Sequence, residues 1–390
     1  MTDFLPTLPL TQVPVASRSS RLLSLEFTGS GSEYFRIWIV NLLLTLVTFT
    51  LYLPWARARR LRYFMGNTVL AGQPLGFHGE PGKMFKGYLL VTVLFGLYSV
   101  AGHFSETAGL VALAAVAALW PALFKSSLQF RLGNTSWCGL RFGFAGSAAG
   151  AYRAMLPAFI PGLILVGALV WAGDAKHPPR WYGQLSAAVG LGVLAVSPWL
   201  WWNLKRYQHS HYTLGTLQTT FIAGAGSFYL LSLKAFGLVL LALAAPIALV
   251  GASVAKSFAG AGPRGAGTVI TAVLLGLALL MVTLVCVKPF VVSRMQNIVW
   301  SKTGNSHLRF YSTLRFRSLL WLSLKNWLLV VLTLGLYWPF ATVAMTRLRL
   351  EAVTVKTRLD PSQLVADVHQ ASAEAAGDAA GDFFGVDVGL

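Results

Sequence analysis

The chain has 390 residues, 55% of them hydrophobic and only 11% charged, with a mean hydropathy of +0.63. Soluble domains carry roughly 25% charged residues, so an ordinary water-soluble enzyme is excluded and lipid is the expected solvent. Lys and Arg outnumber Asp and Glu by 31 to 13, a net +18, which suggests either a nucleic-acid surface or basic loops held in the cytoplasm. The position of the charges decides between them.

In chain order, residues 1–21 form a flexible segment without the basic-then-apolar pattern of a signal peptide. Eight apolar segments follow, near 36–55, 87–103, 108–124, 155–173, 184–202, 228–250, 267–290 and 319–340. A helix needs roughly 17–25 residues to cross the hydrocarbon, and these runs are continuously apolar rather than alternating. They predict an all-α membrane protein, a polytopic helical bundle of about eight transmembrane segments. Its domain spans 22–356, and an acidic flexible tail covers 357–390; from Asp360 onward there are six acids and no Lys or Arg.

The connections between segments alternate in charge. Nineteen basic residues lie in four of them, among them Arg57, Arg59, Arg60 and Arg62, whereas the three intervening hairpins hold only Lys176, Arg180, Lys256 and Arg264. The positive-inside rule places the four rich connections in the cytoplasm, and the nucleic-acid reading loses its support. Arg57, Arg59, Arg60 and Arg62 are expected to lie on anionic lipid headgroups, so membrane lipids are the expected partners.

The cytoplasmic connections also resemble one another. Phe27, Phe77 and Phe144 each stand two residues before a glycine and shortly before an aromatic residue and a hydrophobic run, with Phe221 and Gly224 a spaced variant. Pro54, Pro121, Pro198, Pro289 and Pro339 recur where segments return to the basic side. The coincidences predict five related units, near 27–77, 77–144, 144–221, 221–310 and 310–356. The end units align without a gap: Asn41, Tyr52, Pro54 and Trp55 correspond to Asn326, Tyr337, Pro339 and Phe340.

Pro54 and Pro339 are expected to kink the terminal helices. Asn41 and Asn326 form a candidate intramembrane polar pair, lining a path or joining helices. Each end unit holds one apolar segment. The expectation is therefore eight crossings, with re-entrant terminal segments as the open alternative. The stretch TSWCGLRFGF and residues Gln73 to His78 alternate in a strand-like way, giving either short cytoplasmic β-strands in the loops or amphipathic interfacial segments.

The run FTGSGSEYFRIWIVNLLLTLVTFTLYLPWARARRLRYFMGNTVLAGQPLGFHG resembles the opening of the YjgN family of bacterial inner-membrane proteins. NTSWCGLRFGF is similar to that family's recurring loop motif and TLGLYWPF to its late Gly-Tyr-aromatic motif. The resemblance covers roughly residues 22–355. It implies a multi-pass protein of the bacterial inner membrane and carries no active site with it.

No metalloprotease, phosphate-loop or nucleophile-elbow motif is present, and no catalytic residue, cofactor or metal site is expected. His209 and His211 make a weak metal pair without a neighbouring Cys or acid, and Cys138 and Cys286 define neither a disulfide framework nor a metal site. No acid lies inside an apolar run, which disfavours a proton-coupled pump. The leading functional expectation is a transport or channel-like protein, supported by the repeated, proline-interrupted segments. A non-catalytic scaffold or lipid-interacting protein comes second and a membrane enzyme third.

Overall fold

The computed structural model describes residues 21–173, 177–258 and 264–358. The terminal segments expected to be flexible lie outside the described residues, except for 21, 357 and 358. The chain forms five successive strand–helix–helix–strand units. The first contains β1 (Arg21–Phe27), α1 (Gly31–Val47), α2 (Leu53–Gly66) and β2 (Thr68–Leu70). The second contains β3 (Gln73–Phe77), α3 (Pro81–Phe104), α4 (Glu106–Gly133) and β4 (Thr135–Trp137). The third runs through β5 (Leu140–Phe144), α5 (Ala148–Met155), α6 (Ile160–Ala172), α7 (Arg180–His209) and β6 (Tyr212–Leu214), followed by β7 (Leu217–Gln218). The fourth holds β8 (Thr220–Phe221), α8 (Ala225–Phe258), α9 (Arg264–Ser301) and β9 (Thr303–Gly304). The fifth holds β10 (Leu308–Ser312), α10 (Phe316–Leu332), α11 (Trp338–Glu351) and β11 (Val353–Thr357).

The expectation of an all-α bundle is corrected here: eleven strands form one antiparallel sheet, in the order β7-β6-β5-β4-β3-β2-β1-β11-β10-β9-β8. Every helical excursion starts and ends on this sheet. The last residue of the strand that enters the helices pairs with the first residue of the strand that leaves them: Phe27 with Thr68, Phe77 with Thr135, Phe144 with Tyr212, Phe221 with Thr303 and Ser312 with Val353. One residue further, a backbone bond closes each unit. The N–H groups of Thr28, His78, Ala145, Ile222 and Thr313 donate to the carbonyls of Asn67, Asn134, His211, Lys302 and Ala352. All helices therefore leave the same rim of the sheet, because antiparallel strands alternate between that rim and the opposite one.

The sheet nearly closes on itself. Its edge strands β7 and β8 are separated in the chain by Thr219 alone. That residue is pinned at the seam, with its N–H donating to Tyr212 and its hydroxyl to His209 at 2.7 Å. Asn305 Nδ2 reaches across to the Gln218 carbonyl, so the two edges that would otherwise invite pairing are covered.

The expectation of about eight spans is corrected as well. Among the described residues, three helices are long and apolar enough to cross a membrane: α3, α4 and α7. A fourth counts only if α5 and α6, bent by 54° across a short 3-10 turn, form one broken span. The apolar runs 36–55 and 319–340 are each split by a tight turn. In the first, Phe49 and Thr50 take left-handed φ values of 47° and 73°, and Thr50 N–H donates to Thr45. In the second, Leu334 and Gly335 do the same at 50° and 94°, with Gly335 N–H donating to Val330. Thr48 and Thr333, the C-caps of the outgoing helices, brace the turns, their hydroxyls accepting from Tyr52 N–H at 3.1 Å and Tyr337 N–H at 2.9 Å. The terminal segments are helical hairpins that go out and come back.

Candidate functional site

The last helix of each unit carries a buried proline at a constant register. Pro54, Pro121, Pro198, Pro289 and Pro339 all stand fourteen residues before the strand that follows, which begins at Thr68, Thr135, Tyr212, Thr303 and Val353. Pro54 and Pro339 sit in the first turn of α2 and α11, where a missing N–H costs nothing because helix-start donors have no intrahelical partner. Pro121, Pro198 and Pro289 lie inside their helices.

Eight residues beyond four of the prolines stand side chains that staple one unit to the next. Arg62 donates to the Gly79 carbonyl at 3.2 Å and Arg347 to Gly29 at 2.8 Å. Asn297 donates to Leu314 at 3.0 Å, and Gln129 to Phe144 at 3.4 Å. At the remaining junction Trp202 Nε1 serves instead, donating to Ala223 at 2.7 Å. Four of these acceptors lie two residues after the closing strand residue. The Arg347 bond runs from the fifth unit to the first, so the series is circular. Helix packing follows the same circle, with α2 on α3, α4 on α5, α7 on α8, α9 on α10 and α11 on α1.

The recurring phenylalanine two residues before glycine has a steric cause. The rings of Phe27, Phe77 and Phe144 fold back over Gly29, Gly79 and Gly146, occupying the space a Cβ would need. Phe27 also stacks on Phe64, and Phe144 meets Tyr207 edge-on. Tyr63 and Tyr207 point their hydroxyls at matching places, donating to the carbonyls of Ser30 and Ser147, the N-caps of α1 and α5.

Asn41 and Asn326 are buried but do not meet. Asn41 Nδ2 donates to Ala56 at 3.4 Å and Asn326 Nδ2 to Ala341 at 3.3 Å, each across its own hairpin. The Oδ1 atoms of both are enclosed without a hydrogen-bond donor. His209 closes the seam beside the Thr303 hydroxyl at 3.1 Å, among Tyr212, Phe221 and Trp300. His211 turns away, its Nδ1 on the Tyr207 carbonyl. Among the described residues no three His, Cys, Asp or Glu side chains gather as metal ligands would.

Arg57, Arg59, Arg60 and Arg62 are all exposed on α2. The guanidinium of Arg59 lies over the Tyr52 ring at 5.8 Å and that of Arg60 over Phe64 at 5.7 Å. Arg59 and Arg62 join Arg36 of α1 around an open groove of about 490 Å³, completed by Ile37, Val40 and Tyr63. Arg36 was not among the sequence candidates. Its signal is its place five residues into α1, opposite the basic stretch of α2 once the hairpin folds.

The arrangement is that of a membrane-type protein whose apolar helices leave one rim of a β-sheet and return to it. Residues 22–383 match the family model described as bacterial protein of unknown function (DUF898), and the chain belongs to that family, the YjgN family. Among its relatives is Inner membrane protein YjgN of Salmonella typhimurium, 25% identical over 374 residues that cover 90% of this chain and 93% of that protein. The protein of the same name from Escherichia coli O157:H7 is 30% identical over 145 residues, 37% of this chain and 36% of its own length. No solved structure matches.

Proposed function

We propose that this is a multi-pass protein of the bacterial inner membrane, built from five repeated hairpin units, that handles membrane lipids rather than conducting an aqueous solute. The name of its relatives supports the location. The nineteen basic residues of the four rich connections belong to the sheet side of the hairpins, which under the positive-inside rule is the cytoplasm. The observation that carries the functional reading is the circular single layer of helices. Each packs on its neighbours around the circle, and the spanning stretches of α3, α4 and α7 are 0%, 6% and 6% buried.

Such a layer has two faces, and these helices are apolar around their whole circumference: α3 between Gly87 and Gly102 contains no charged residue. A water-filled path needs a polar lining, whereas apolar walls on both faces are solvated by acyl chains. The test is reconstitution in liposomes, with flux of a broad panel of small solutes measured beside mass spectrometry of phospholipid retained after purification. Retained phospholipid without solute flux is the expected result. Solute-specific flux by protein that retains no lipid overturns the reading.

One observation favours transport. The 54° break between α5 and α6 falls inside an apolar segment, and transporters place substrates at such discontinuities. The flux panel decides between the two.

A further inference from the structure

We propose that the groove between α1 and α2 is a binding site for one anionic glycerophospholipid, its phosphate held by Arg36, Arg59 and Arg62 and an acyl chain laid along α1. The proposal rests on the lipid-handling reading and assigns it a place. Three arginine side chains from two helices line the groove together with Ile37, Val40 and Tyr63, and all three arginines are exposed, so their guanidinium groups can reach its rim. Arg62 spends one donor on Gly79 and Arg59 lies over Tyr52. A guanidinium has five N–H donors, so each retains several for a phosphate, which it matches in geometry. The nearby carboxylate, Glu33, is engaged elsewhere: it caps Ser30 N–H at 3.4 Å and accepts from the Tyr63 hydroxyl at 3.3 Å.

A soluble phosphate would account for the arginines but not for what continues from them. Ile37 and Val40 line the groove, and Val40, Leu44 and Val47 carry the same face of α1 onward at helical spacing, 44%, 36% and 74% exposed. This stripe runs about 17 Å from Arg36 toward the apolar tip of the hairpin at 1.5 Å per residue. A charged head beside an apolar stripe of that length fits a lipid with its phosphate at the interface and its chain in the hydrocarbon. Zwitterionic lipids share the phosphodiester, but three cations favour a headgroup with net negative charge.

The experiment uses the full chain in nanodiscs of phosphatidylcholine containing a minor fraction of phosphatidylglycerol, with tightly retained lipid counted by native mass spectrometry. The wild type is expected to retain phosphatidylglycerol above its bulk fraction. Arg36→Gln/Arg59→Gln/Arg62→Gln should lower that enrichment at least 10-fold, while Arg315→Gln/Arg317→Gln/Lys356→Gln, which removes the same charge from the fifth unit, should leave it unchanged. Val40→Trp keeps every charge and fills the groove, and should lose the lipid as well. Thus a folding defect of the triple variant does not leave the outcome open.

Equal losses in both triple variants mean general attraction to the anionic surface, and overturn the site. Displacement by millimolar inorganic phosphate or glycerophosphate means a soluble anion, and overturns it too. Enrichment that survives the groove variants sinks the site but leaves the broader lipid reading standing. A wild type that retains no lipid removes both.

Discussion

Cysteines at the tips of the two short hairpins measure how deep they reach. From exposed Arg36 to Val47 the helix climbs about 17 Å at 1.5 Å per residue. With the Arg36 guanidinium at the headgroups, Phe49 arrives near the middle of a hydrocarbon layer about 30 Å thick. The chain goes no further, because Phe49 and Thr50 turn it back. The tips suit that depth: Phe49 is 88% and Leu334 95% exposed, with no charge between Val47 and Leu53 or between Leu332 and Trp338. Phe49→Cys and Leu334→Cys, each in a Cys138→Ala/Cys286→Ala background, should resist a membrane-impermeant maleimide from both sides. Both should react once detergent admits water to the thiol, and a fluorophore attached there before reconstitution should be quenched by nitroxide at mid-chain depth. Ser105→Cys, at the tip of the longer α3–α4 hairpin, should label from the periplasm. Leu334→Lys, placing a charge at that depth, should cost about 2.5–3.5 kcal/mol, roughly 100-fold in the inserted population, and lower the yield accordingly. Labelling of either tip by the impermeant reagent from outside would refute the hairpins and restore full crossings.

Other outcomes follow from the staples and turns. Arg347→Met should destabilise the protein by about 1–3 kcal/mol, the cost of leaving the Gly29 carbonyl without its charged donor, read as a lower thermal midpoint in detergent. Glu351→Ala should change little, because its pairing with Arg347 is exposed and 4.0 Å long. Gly31→Ala drives a Cβ into the Phe340 ring between the first and fifth units; it should lower the midpoint, and adding Phe340→Leu should recover part of the loss. Ala71 and Gly72 both take left-handed φ, 52° and 76°, at the β2–β3 turn, so Ala71→Asn should stabilise by about 0.5–1 kcal/mol. Partial burial pushes the Cys138 thiol up, so in a Cys286→Ala background its alkylation should rise with pH later than that of a free thiol; coincident profiles would count against the packing of Cys138 at the β4–β5 turn.

What could be read from the residues was the recurrence, and its cause is local. Phenylalanine over glycine is a contact within two residues, and proline fourteen residues before a strand is a register kept along one continuous helix, so both mark the sequence directly. The strands were legible in TSWCGLRFGF, which holds β4 and β5, and in Gln73–Phe77, whereas β1, β10 and β11 went unread beside the apolar runs. β7, β8 and β9 hold two residues each, too few for any period, and exist because neighbouring strands supply partners. The tips were hidden for a different reason. The turn at Val47 to Leu53 uses phenylalanine and threonine in left-handed conformation, without Gly, Pro or Asn to announce it, so 36–55 reads as one apolar run. Its counterpart does carry the signal: Gly335 as a helix stop, then Pro339 in the first turn of the next helix. The groove was half visible, because α2 shows its arginines in a row while Arg36 joins them only when the hairpin closes.

The division of labour between sheet and helices bears on where function lies. In lipid there is no hydrophobic force to choose a neighbour, and helices apolar on every side could pack in many orders. Here the order is imposed by directional bonds at the sheet side: strand pairing between successive units except the third and fourth, which meet at the Thr219 seam, and five side chains donating to carbonyls of the next unit, the last returning to the first. The helices are thereby relieved of specifying one another, which fits their low burial. A protein organised in this way needs little helix-to-helix interlocking within the apolar layer, so its helical faces are free to contact lipid. The polar groups able to recognise a headgroup then belong where the helices emerge, which is where Arg36, Arg59 and Arg62 converge.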